Sequence, residues 1–91
     1  MTHVIKRRGA RQYENFSRTK LHHSIVTACL AVRTAEGGAE VAADAVCKAV
    51  EDWLQQRPEV TSEDIRRIAG KTLEIHNPDA AYYYTGHKHI V

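Results

Sequence analysis

The chain has 91 residues, with 13 Lys or Arg against 11 Asp or Glu and 43% hydrophobic residues, at a mean hydropathy of -0.46. That length allows one modest core and excludes a second, since a domain of this size buries only about 60 to 65% of the surface its unfolded chain exposes. No apolar run approaches the roughly 18 residues of a membrane span, and the opening Met1 to Arg8 lacks the apolar block of a signal peptide, so a soluble, cytoplasmic chain is expected.

Val4 to Arg8 starts with β-branched residues and closes at Gly9, and Gln12 to Phe16 sets Tyr13 and Phe16 among polar residues. The pair predicts a small hairpin over about 3–16. From Ser17 the period becomes that of a helix. Ser17 can cap a first helix to about Thr34, with Leu21, Ile25, Ala28, Cys29 and Val32 as one apolar stripe. Glu36-Gly37-Gly38 is then expected to stop it, because consecutive glycines are poor helix interior. A second helix, about 39–57, carries Ala42, Ala45, Val46, Ala49, Val50, Trp53 and Leu54 on a broad apolar face. Arg57-Pro58 sets its end. Thr61-Ser62-Glu63-Asp64 reads as a capping box for a third helix over about 62–76, which buries Ile65, Ile68, Ala69 and Leu73. Asn77-Pro78-Asp79 starts a fourth, about 78–87, in which Tyr82, Tyr83 and Tyr84 must point in different directions.

The fold class predicted is mostly α (α+β): a single-domain four-helix bundle capped by a small N-terminal β-hairpin or three-stranded sheet. The two cysteines, Cys29 and Cys47, are too few for a disulfide scaffold or a four-cysteine zinc site and read as buried thiols.

The net charge of +2 is unevenly spread. Up to His23, six bases (Lys6, Arg7, Arg8, Arg11, Arg18 and Lys20) face Glu14 alone, giving +5, and the remaining 7 basic and 10 acidic residues give -3. A cationic head on a mildly acidic body points to an anionic partner: nucleotide phosphate, nucleic acid or an acidic protein face. A solvated basic edge strand is the plainer alternative.

Enzymatic readings find little support. Of the histidines, His87 and His89 could offer two imidazoles on one side of an extended tail, but no Cys or carboxylate cluster completes a set. His22 and His23 point about 100° apart on a helix, so no metal is expected from the protein itself. Ser24 and Cys29 have no identifiable base, and neither G-x-x-x-x-G-K-[ST] nor G-x-G-x-x-G occurs. The stronger pattern is Val4-Ile5-Lys6-Arg7-Arg8-Gly9, then Glu14-Asn15-Phe16-Ser17, then Lys20. On a strand Lys6 and Arg8 share one face and Arg7 takes the other, so cations approach a phosphate chain from two sides. The capped helix start adds free amides and a dipole end suited to an anion, with Lys20 about one turn inside it. Glu14 could accept from an adenine amino group or a ribose hydroxyl, or pair with Arg11.

The order V-x-K-R-x-G, E-x-F-S, K-L, then V-T-S-x-x-I at Val60 to Ile65 and an Ala-Tyr-rich closing helix resembles the ATP-cone domain. That is the allosteric nucleotide-binding module of many ribonucleotide reductase large subunits and of the bacterial repressor of ribonucleotide reductase genes. The resemblance covers Val4 to about Lys88 and implies ATP or dATP bound between the cap and the helices. It implies that Val4, Ile5, Lys6, Arg7 and Arg8 lie on the nucleotide-contacting cap, Glu14 at the base or sugar, and Ser17 and Lys20 at the first helix near ribose and phosphates. Ser62, with Thr61 as the neighbouring option, supplies a hydroxyl; Arg66 and Lys88 are further polar ligands. Arg8 stands where many relatives have Asp, the gap from Gly9 to Lys20 is longer than the common form, and Ser17 replaces the frequent Asp or Asn.

The expected function is therefore a non-catalytic adenine-nucleotide sensor, free-standing or excised from a longer chain. Nucleotide would bias homo-oligomerisation or the control of a ribonucleotide reductase subunit or regulator, with Mg²⁺ arriving on the phosphates. Two rivals remain. A nucleic-acid-associated protein would use the basic head on phosphates, but no base-reading motif accompanies it. A nucleotide-independent interaction module would use the helical faces and Tyr82 to Tyr84. No membrane is expected as a partner.

Overall fold

The computed structural model describes residues 3–5, 13–57 and 59–86, with backbone alone for 3–5 and 13–15. It is mostly helical. Four helices, α1 (Arg18–Ala31), α2 (Glu36–Leu54), α3 (Ser62–His76) and α4 (Pro78–Gly86), are joined by short connections, with strand β3 (Glu59–Thr61) leading into α3. In the backbone of the N-terminal segments, β1 (His3–Ile5) lies between β2 (Tyr13–Asn15) and β3, antiparallel to the first and parallel to the second. The hairpin turn expected at Gly9 lies outside the described residues.

Each helix packs on two neighbours in the cyclic order α1, α2, α3, α4. Their facing stripes are small and aliphatic: Leu21, Ile25 and Cys29 on α1, Ala39, Ala43, Val46, Cys47 and Val50 on α2, Ala69 and Leu73 on α3, Ala80 and Ala81 on α4. No polar or charged residue is fully buried among the described residues. The core is thus apolar, and its burial contributes about 25 cal/mol per Å² removed from water.

The helix ends have identifiable causes. Ser17 accepts the Lys20 amide at 3.2 Å and starts α1. α1 stops at Ala31, before the glycines expected to stop it. Arg33 takes the left-handed conformation (φ 66°), and the amides of Arg33 and Thr34 close back on the Leu30 and Cys29 carbonyls at 3.0 and 2.9 Å. This is a Schellman closure with Arg where Gly is usual. Gly37 and Gly38 instead occupy the first turn of α2, where Glu36 complements the dipole and Ala35 provides no side-chain cap. A Cβ on Gly38 would lie 3.2 Å from Thr34 Cγ2, so the connection is tight there. At its other end α2 finishes at Leu54, three residues before Arg57; the Arg57 guanidinium donates to the Trp53 carbonyl at 2.8 Å and stacks 4.5 Å from the Trp53 ring centroid.

α3 opens on a full capping box: Thr61 Oγ1 accepts the Asp64 amide at 3.0 Å and Asp64 Oδ2 accepts the Thr61 amide at 3.2 Å. Those bonds hold the Asp64 carboxyl below its ordinary value, the backbone amide of Thr61 contributing most. Asn77 alone separates α3 from α4. Its Oδ1 accepts the Ala80 amide at 3.1 Å, while its Nδ2 donates to Thr34 Oγ1 at 2.7 Å and towards Cys29 Sγ at 3.9 Å. One side chain therefore caps α4 and ties it to the end of α1.

Candidate functional site

These ties fix which helix ends share a pole of the bundle. Arg18 at the start of α1 reaches Glu51 late in α2, and Asn77 at the close of α3 reaches Thr34 just past α1. α1 and α3 therefore begin at one pole, where α2 and α4 finish. Two helix N-termini with their positive dipole ends lie on that side, a ready setting for an anion.

The sequence-predicted residues divide by location. In the strand register Val4 pairs with Glu14 on one side and Val60 on the other, and Ile5 pairs with Thr61. The backbone thus brings Val4 and Ile5 beside the segment that carries Thr61 and Ser62, with Glu14 one strand further away. Ser17 and Lys20 occupy the α1 start, Ser17 engaged as its cap and Lys20 exposed. Thr61 is engaged as the α3 cap, and Ser62, half-buried, is the first residue of α3. Arg66 follows Ser62 by four residues, on the same helix face. Lys6, Arg7, Arg8 and Lys88 lie outside the described residues.

Other residues at this pole were not among the predicted nucleotide-site residues. Arg18 Nε donates to Glu51 Oε1 at 3.1 Å, and its Nη2 lies 3.7 Å from Asp44 Oδ1. Asp44 Oδ1 also meets His22 Nε2 at 3.0 Å, so one carboxylate joins two turns of α1 to α2. The Cys47 thiol donates towards the Arg18 carbonyl at 3.8 Å, and burial pushes that thiol above its ordinary value. Tyr84, on the last turn of α4, packs half-buried against the core. Burial pushes its phenol up, opposed by the positive charge of Arg66. The run of two alanines and three tyrosines from Ala80 to Tyr84 offers small and large packing surfaces, but nothing in it separates Tyr84 from its two neighbours.

Arg66 also borders an open groove of about 450 Å³ between α3 and α4, with Arg67, Lys71 and Tyr82 on its walls and Gly70 and Ala81 at its floor. Tyr82 is 81% exposed. Among the described residues no three His, Cys, Asp or Glu side chains gather as a metal cage, and no helix is long and apolar enough to cross a membrane.

No curated protein and no solved structure matches the chain. The family model for the ATP cone domain matches residues 2–90. That span takes in the strand register, both helix starts and all four helices, and the chain accordingly belongs to the ATP-cone domain family, a family of nucleotide-binding regulatory modules.

Proposed function

We propose that this chain is a non-catalytic regulatory domain that binds ATP or dATP at the pole where α1 and α3 begin and converts nucleotide identity into an oligomeric or partner state. The observation that carries the reading is the convergence of two helix N-termini, α1 with Lys20 and α3 with Thr61 and Ser62, on the pole beside which the Val4–Glu14 register runs, in a chain of the ATP-cone family. Phosphates favour such ends, and the sequence carries further cations for the same ligand in Lys6, Arg7 and Arg8. Glu14 would read the base or ribose, Ser17 the ribose side, and Arg66 and Lys88 the phosphate tail. Mg²⁺ would enter with the triphosphate as its counter-ion. The nucleotide acts by binding two arrangements of the domain unequally, and the regulated partner would belong to ribonucleotide reduction, as a reductase subunit or a regulator. The binding occurs in the cytoplasm.

Calorimetric titration with ATP, dATP and GTP tests this. Adenine nucleotides should bind well below about 1 mM and GTP more weakly; no adenine-nucleotide binding tighter than about 1 mM overturns the reading. Light scattering with and without nucleotide tests the oligomeric output. Replacing Lys6 and Arg7 with Ala should abolish binding while helicity is retained.

A further inference from the structure

The groove between α3 and α4 and the outer face of α2 carry the same charge pattern with the signs reversed. Along α3, Glu63, Arg67 and Lys71 line the groove at intervals of four residues, so all three share one face over about 12 Å. Along α2, Lys48, Asp44 and Glu40 repeat the interval in the opposite direction, and all three are exposed. Laid antiparallel, the two helices set Lys48 against Glu63, Asp44 against Arg67 and Glu40 against Lys71. The same register puts Val41, which is 67% exposed, over Gly70. Gly70 and Ala81 form the small-residue floor there, with exposed Tyr82 on the wall. Glu74, the other acid of the groove, falls opposite Gly37 in the first turn of α2, where the positive helix end suits a carboxylate. Arg66 falls opposite the uncharged Ala45, so no like charges are opposed. The charges of α2 stay accessible: the Glu40 and Asp44 side chains are 59% and 64% exposed although both face His22, and Asp44 also meets Arg18.

We infer that the chain self-associates head to tail, the α2 face of one copy seated in the α3–α4 groove of the next. A second copy fits the groove because three charge pairs, one apolar contact and a helix end match in a single register, with the complement supplied by the chain itself. α2 and α3 already run antiparallel within one chain, so α2 of each added copy points the same way as α2 of the last. Successive copies therefore keep the pole where α1 and α3 begin on one side. The α2 surface lies on its α1 side, away from α3. The contact is thus heterologous, and each added copy leaves one groove and one face open until a ring closes. A single helix in a groove is small for an interface, so the association is weak. The inference rests on the oligomeric half of the proposed function and names the surfaces through which that output passes.

The test follows mass by light scattering and sedimentation at up to about 1 mM protein. Wild type, Glu40→Lys, Lys71→Glu and the double variant are compared without nucleotide, with ATP and with dATP, and thermal melts check that each folds. Wild type should associate beyond the dimer in at least one of these states. Each single variant should weaken that association roughly 10-fold, because a like-charge pair replaces an opposite one. The double variant, and an equimolar mixture of the two single variants, should restore it. A wild type that stays monomeric in every state overturns the inference and leaves the groove to an acidic segment of another protein. Single variants that associate as wild type does, losses that the double variant does not rescue, and association that saturates at two chains each overturn it as well. A wild type that binds no ATP by calorimetry but shows the charge-swap rescue overturns the nucleotide reading alone.

Discussion

Gly70 is the point at which α3 and α4 approach most informatively, and replacing it with Ala sets two opposed effects against each other. A Cβ at position 70 would lie 2.6 Å from Thr85 Cγ2, about 1 Å inside an ordinary carbon–carbon contact. Thr85 cannot simply rotate aside, because its hydroxyl donates to the Ala81 carbonyl at 2.9 Å and fixes the rotamer that aims the methyl at Gly70. Overpacking of this kind costs about 1–3 kcal/mol, against about 1 kcal/mol gained from placing Ala instead of Gly in a helix interior. Gly70→Ala should therefore destabilise the domain by about 1 kcal/mol. With a urea slope of about 1 kcal/mol per M for a chain this size, the midpoint followed by circular dichroism should fall by about 1 M. Thr85→Ser keeps the hydroxyl bond and deletes the offending methyl. In that background Gly70→Ala should stabilise by about 1 kcal/mol, a coupling of about 2 kcal/mol across the pair. A Gly70→Ala variant as stable as wild type, with the same effect in both backgrounds, would refute the close approach of α3 and α4.

Asp64 titrates the start of α3. Its carboxyl is held below the unfolded value, so its contribution is present above about pH 4 and is lost as pH falls through that value towards the folded one. The stability gap between wild type and Asp64→Asn, read from thermal melts, should accordingly narrow between about pH 5 and pH 3; a gap constant over that range would deny the carboxylate its role. Asn77→Ala removes both the cap on Ala80 and the 2.7 Å bond to Thr34, and should cost about 2 kcal/mol in urea unfolding. Asn77→Asp, which retains the cap oxygen and loses the donor, should fall between the two.

The parts of this fold that the sequence made legible are those decided locally. Thr61 and Asp64, and Asn77 before Pro78, announce helix starts because a cap needs only a side-chain oxygen within three residues of the amide it accepts. The glycine pair misled because its conformational freedom suits a stop and a first turn equally. What ends α1 is Arg33 in a conformation that composition does not signal. The second bond of Asn77, to Thr34, spans 43 residues and depends on how helices pack. The site is similarly divided. Motif order supplied Glu14, Lys20 and Ser62 as candidates, whereas the groove that Arg66 borders depends on α4 seating against α3, a tertiary fact.

The two cysteines mark opposite poles of the α1–α2 seam: Cys47 lies under the Arg18 carbonyl, and Cys29 lies against Asn77. Both thiols are buried and raised above their ordinary value, chiefly by that burial. Neither can meet an alkylating reagent as a thiolate until its own pole opens. The molecule thus carries two built-in clocks of local breathing. A ligand that tightens the pole where α1 and α3 begin should slow the Cys47 clock and leave that of Cys29 running, so the ratio of the two rates reports how far an event at one pole is felt at the other.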